Sequence, residues 1–268
     1  MCAVNALTFR AGARPRARMP VPLLVLESPM TRALKLPPSF AYTRDQLLAQ
    51  QAWWPQLSAP LRAELLAGAR ERSLVAGEVL GHANEPQRQW YGVLEGLLTW
   101  SVGRADGQTA TLGGQLPGSW FGEATLLLGK PRMGQVAAAR ASRVLVLDES
   151  LFHRLRHAEP VFNEWLLSHL VARIDWMMRN SVAHRLLDTE GLVAQSLMAL
   201  THPLNNPCQD FFLCLSQEEL ANLVTVSRQS CNKALASLQR RGFVRMEYGG
   251  IAVVDVEGLR RMTAFALV

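Results

Sequence analysis

At 268 residues, the chain is long enough for two modest domains with separate cores. Its 49% apolar and 19% charged residues are those of a folded globular protein, and no apolar run approaches the ~20 residues that span a bilayer. The formal charge of +6 is uneven: Arg10, Arg14, Arg16 and Arg18 supply four charges, so residues 19–268 carry about +2 and bulk charge is weak evidence for nucleic acid binding.

Residues 1–38, rich in Ala, Arg and Pro, read as a disordered basic tail. The run ValProLeuLeuValLeu is too short and interrupted for a signal peptide, and Met19 or Met30 are alternative starts to Met1. Over residues 46–157, short β-like runs alternate with glycines, which predicts an antiparallel sandwich or barrel. Within it, Pro117 to Gly134 combines a glycine-rich bend at Gly122, Glu123 at a helix start and Arg132 nine residues on. Backbone amides at a helix start attract an anion and an arginine can clamp it, so this stretch reads as an anion pocket.

A long helix is expected over residues 161–187. Phe162 and Trp165 are suited to packing on the preceding β-domain. Leu166, Leu170, Ile174 and Met177 recur close to a coiled-coil seam and are the candidate dimer contacts.

Residues 189–268 form the last domain. Ser216 followed by Glu219 is a capping box, and Ser227 is a second N-cap. Cys231, Ala234, Leu235 and Leu238 give an apolar stripe, while Arg228, Gln229, Asn232 and Lys233 form the opposite face. Gly242 supplies a left-handed helix stop, and two β-like runs flank Tyr248-Gly249-Gly250 as a hairpin. Helix, turn, donor-rich helix and wing together are the means by which one helix enters the major groove of duplex DNA. Arginine can pair bidentately with guanine, and glutamine or asparagine with adenine, which makes Arg228, Gln229 and Lys233 the candidate readers. Ser227 and Arg245 are suited to phosphates.

The last domain resembles the winged helix of the bacterial Crp/Fnr family, with Ser227-Arg228 as the family's "SR". Gln229 stands where glutamate is frequent, and Thr225 where the turn glycine belongs. Pro117 to Glu123 and Pro131-Arg132 resemble the "PGxxFGE" and "PR" of the cyclic-nucleotide-binding cassette. The resemblance implies an α+β protein: an N-terminal antiparallel, jelly-roll-like β-roll, a long dimerisation helix and a C-terminal winged helix-turn-helix. It implies a homodimeric, cytoplasmic regulator that binds DNA and touches RNA polymerase, with Glu123 on a ribose hydroxyl and Arg132 on a cyclic phosphate.

The Gln229 departure bears on the operator sequence, and further departures bear on the effector. Met133 and Gly134 replace serine and alanine, and Met177-Met178 stand where the adenine contacts belong. Thioethers cannot donate a hydrogen bond. A cyclic nucleotide, another effector and a sensor without a ligand all remain open. Cys2, Cys208, Cys214 and Cys231 have no metal-ligand spacing, and Cys2 alone near the N-terminus argues against an iron-sulfur cluster. His153 and His157 share a helix face but lack a third ligand, and no enzyme motif is present, so neither metal nor catalysis is expected.

Overall fold

The computed structural model describes residues 41–86, 88–104, 106–204 and 211–264. The basic tail, Cys2, Cys208 and the alternative starts lie outside these residues.

The first described segment is helical, not β. Helix α1 (Arg44–Ala49) opens on a capping box: Thr43 Oγ1 accepts from the Gln46 amide at 3.2 Å, and Gln46 Oε1 accepts from the Thr43 amide at 2.9 Å. A 3₁₀ turn (Trp54–Gln56) follows, then α2 (Ala59–Gly68) with Pro60 in its first turn. Leu47, Leu48, Leu57, Leu61 and Leu65 are buried together, so tertiary burial favours helices here.

Eight strands form two antiparallel sheets. They are β1 (Arg70–Leu74), β2 (Val79–Gly81), β3 (Gln89–Glu95), β4 (Leu98–Gly103), β5 (Thr109–Gln115), β6 (Trp120–Phe121), β7 (Gln135–Ala138) and β8 (Ser142–Asp148), with helix α3 (Glu123–Leu128) after β6. The sheet orders are β1-β8-β3-β6 and β2-β7-β4-β5. Strand alternation sorts β3 and β8 into two cores. Tyr91, Val93, Val144 and Val146 join Leu80, Leu98 and Val136 of the second sheet inside the roll. Trp90, Leu94, Leu145 and Leu147 face the helices instead.

That outer core anchors α4 (Glu149–Ala158) and the long α5 (Pro160–Leu186). Trp90 stacks on Trp120 with centroids 4.1 Å apart, and Phe162 meets Trp53 edge-on at 5.3 Å. Phe162 and Trp165 thus pin the start of α5 to the roll, and their pinning sets its rotation. Leu166 is buried and Leu170 packs against the same core. The exposed large apolar residues of α5 are Leu167, Val171, Ile174, Met177, Met178 and Leu186. The exposed stripe is Leu167-Val171-Ile174-Met178, alternating steps of four and three; it shares Ile174 with the Leu166-Leu170-Ile174-Met177 seam that spacing suggests and lies one residue on at the other three positions.

The head comprises α6 (Thr189–Leu200), β9 (Phe212–Leu213), α7 (Gln217–Val224), α8 (Arg228–Arg240), β10 (Val244–Glu247), β11 (Gly250–Val253) and α9 (Val256–Met262). Strands β10, β11 and β9 form a small antiparallel sheet. Cys231, Ala234, Leu235 and Leu238 are buried against α6 and α7. Leu97 and Leu116 of the roll complete this core, so the head does not pack by itself.

Candidate DNA interface and sensor cradle

Local chemistry builds the two helices of the head. Ser216 Oγ accepts from the Glu219 amide at 3.1 Å, and Glu219 Oε2 accepts from the Ser216 amide at 2.8 Å. Thr225 makes the turn between α7 and α8 in the left-handed conformation (φ 62°, ψ 42°), a strained choice for a β-branched residue. Ser227 then caps α8 by accepting from the Ser230 amide at 3.1 Å. Gly242 (φ 79°) ends the helix, and Gly249 (φ 83°) makes the wing turn.

The proposed contact residues differ in readiness. Arg228, Gln229 and Lys233 are exposed on the outer face of α8. Arg228 has only a loose, solvent-exposed pairing with Glu218 at 3.7 Å, which screening makes weak and easily exchanged for a base or phosphate. Asn232 is half-buried, with its Oδ1 enclosed, so it is poorly placed to read a base edge. Arg245 is held by Glu247 at 2.6 Å within β10. Burial raises the Cys231 thiol to about 11, as suits an inert core residue.

The cradle is arranged differently from the expected anion pocket. Glu123 is buried, its Oε1 3.5 Å from Arg173 Nη1 and 3.7 Å from His169 Nε2, both on α5. His169 stacks on Trp165, and burial pushes its pKa down, opposed by Glu123 and reinforced by Arg173. Glu123 thus faces the long helix, with its Oε2 buried and without a hydrogen-bond partner among the described residues. Arg132 is also buried: its guanidinium lies over Gly81, where a Cβ would come 2.8 Å from Cζ, and desolvation lowers its pKa. Met133, Met177 and Met178 are all exposed, and the methionine pair does not line the cavity around Trp100 and Trp176.

Two tryptophans that the sequence did not single out line one cavity with Arg173 and Ser119. A Cβ on Gly134 would collide with Trp100 Nε1, and one on Gly113 would meet Trp176 Cη2 at 2.9 Å. Gly134 follows the cassette arginine, and Gly113 lies on β5 across from α5. Each indole thus covers a glycine backbone at the wall of that cavity, which Leu192, Ser196 and Leu223 of the head also line. The available signal was glycine within or beside strands, which marks a close approach by another group. His153 lies 3.8 Å from Glu149, and no cluster of three metal-ligating side chains occurs among the described residues. No helix among them is long and apolar enough to cross a membrane.

Residues 71–159 match the cyclic nucleotide-binding domain, and residues 182–262 match the Crp-like helix-turn-helix domain. The transcriptional regulator LdrP of Thermus thermophilus is 30% identical over 190 residues, 68% of this chain and 91% of that protein. A CRP-like cAMP-activated global transcriptional regulator of Mycobacterium tuberculosis is 26% identical over 220 residues, 81% of this chain and 98% of its own length. Among solved structures, a CooA mutant from Carboxydothermus hydrogenoformans aligns with a TM-score of 0.57 at 17% identity, covering 80% of this chain and 95% of that one. FixK2 from Bradyrhizobium japonicum aligns at 0.56 and 20%, covering 74% and 99%. At these identities the two structures share the fold.

Proposed function

The chain belongs to the Crp/Fnr family of transcription regulators, and from that premise we propose that it binds a palindromic operator as a homodimer in the cytoplasm. The Thermus and Mycobacterium relatives are transcription regulators. The observation that carries the reading is the exposed donor face of α8, with Arg228 and Gln229 in the first turn and Lys233 one turn on. These side chains read base edges, while Ser227, the cap amides and Arg245 hold phosphates. The heptad stripe Leu167-Val171-Ile174-Met178 pairs two copies of α5, which sets two recognition helices about 34 Å apart, one turn of DNA. RNA polymerase is the partner recruited or blocked at the promoter.

Two tryptophan–glycine contacts favour a β-roll that takes no cyclic nucleotide. Trp100 against Gly134 and Trp176 against Gly113 crowd the cavity they line, and Glu123 lies nearest Arg173 and His169 of α5. The regulator then binds DNA constitutively, with the roll retained as scaffold. Arg228→Ala tests the assignment: it costs about 1–3 kcal/mol on the matched site and relaxes discrimination at one base pair. Unchanged preference in a competition binding assay removes Arg228 from the readout.

A further inference from the structure

The head is docked on the sensor through a defined patch. Leu97 and Leu116 of the roll are buried in the head's own core. Leu223 of α7 sits in a notch on β5, where a Cβ at Gly114 would stand 2.8 Å from Leu223 Cδ2. At the edge of this patch Arg140, in the turn between β7 and β8, reaches across. Its Nη1 donates to both carboxylate oxygens of Glu219, at 2.9 and 3.0 Å. Its Nη2 donates to the Cys214 carbonyl at 2.7 Å and the Gly96 carbonyl at 3.2 Å. Charge-assisted bonds from one nitrogen to the carboxylate, with the other nitrogen held by two carbonyls, fix orientation as well as distance. Glu219 is also the capping-box residue of α7, so one carboxylate both starts the first helix of the DNA-binding pair and receives the sensor's arginine.

From this geometry we infer that Arg140 is a positioning residue for DNA binding. It ties α7 to the roll and thereby holds α8 at the angle that lets both heads of a dimer meet one operator. The inference rests on the dimeric reading above. The reading face of α8 stays exposed while α7 is clamped from the sensor side, so the latch orders the head without covering Arg228, Gln229 or Lys233. A head released from the latch must be ordered again when DNA binds, and preorganisation removes that cost. Engaging two half-sites at once needs the relative angle of the heads; engaging one half-site does not.

The test uses the full chain and three variants. Arg140→Ala removes the guanidinium. Arg140→Lys keeps the charge without its planar geometry. Glu219→Gln discharges the pair yet leaves a side chain that serves the capping box. Fluorescence anisotropy gives Kd for a palindromic duplex and for a single half-site, with thermal unfolding measured alongside. Arg140→Ala and Glu219→Gln should each weaken palindrome binding by about ten-fold and half-site binding by less than about two-fold. The double variant should be no weaker than Arg140→Ala, and Arg140→Lys should fall between it and the wild type. Equal losses on both duplexes overturn the positioning role, because they signal local damage to the head. Tighter palindrome binding by Arg140→Ala overturns it too, since the latch would then oppose DNA binding. If the wild type prefers the palindrome and Arg140→Ala binds it equally well, the latch alone is refuted. If the wild type binds both duplexes equally, the two-headed reading falls and the role of Arg140 falls with it.

Discussion

Ile174→Ala reads the seam of α5 directly. Ile174 is 57% exposed in the single chain, and its neighbours on the stripe, Leu167, Val171 and Met178, are exposed to 64%, 63% and 65%. In a two-fold pair each Ile174 lies against the same stripe of the partner subunit. The substitution removes three carbons, worth about 0.8 kcal/mol each when fully buried. Only the 57% exposed fraction is left to bury on pairing, so each chain loses about 1.4 kcal/mol and the dimer about 2.7 kcal/mol. That is roughly a 100-fold weaker dimer. A sedimentation-equilibrium series over protein concentration measures it. Leu170→Ala is the control: Leu170 packs on its own roll, so its loss should lower Tm and leave the dimer Kd alone. An Ile174→Ala protein that dimerises like the wild type refutes the reasoning. So does a Leu170→Ala protein whose dimer weakens as much, which would restore the seam through Leu166 and Leu170.

The remaining predictions concern strain, the cradle and pH. Thr225→Gly relieves a β-branched residue held at φ 62° and should raise stability by about 1 kcal/mol in urea unfolding; no gain would show that the turn is unstrained. Titration calorimetry with cyclic AMP or cyclic di-GMP should give no saturable heat, and binding of either would refute the proposal of a roll that takes no cyclic nucleotide. Gly113→Ala should push Trp176 out and shift tryptophan emission to the red, whereas an unchanged spectrum would mean that the indole is not seated there. Burial holds His169 below its ordinary 6.5, so on acidification the unfolded chain takes up the proton first. Stability is then full above about pH 6.5 and declines as pH falls below it. His202 is lowered by burial in the same way, so the test is a difference between proteins: His169→Gln should flatten the decline without abolishing it, and an identical pH profile would refute the assignment.

What the sequence made legible was local. The Ser216–Glu219 box, the Ser227 cap, the Gly242 stop and the Tyr248-Gly249 turn each depend on side chains within a few residues, and all appear in the structure. Thr43 with Gln46 was an equally readable box, obscured by the β-rich stretch that follows. The rotation of α5 was not readable. Residues 166, 167, 170, 171, 174, 177 and 178 are all apolar, so periodicity alone permits more than one seam. Aromatic packing of Phe162 and Trp165 on Trp53 and Trp90 decides between them.

The cradle was legible in chemistry and not in contacts. Glu123 and Arg132 match the cassette motif in sequence, but His169, Arg173 and Trp176 approach from a helix some fifty residues on. Only the folded chain brings them together. Arg140 carries no motif at all. Its partner Glu219 lies 79 residues away and already had a sufficient local explanation as a cap.

The central claim is that two copies of α8 read a two-fold DNA site. Selecting fragments from genomic DNA with the purified full-length chain, then sequencing them, tests it most directly. The account predicts one enriched motif with two inverted half-sites centred about 10 base pairs apart, and loss of preference at one position in each half-site with Arg228→Ala. An enriched motif without inverted symmetry, or no enrichment over input DNA, would contradict it.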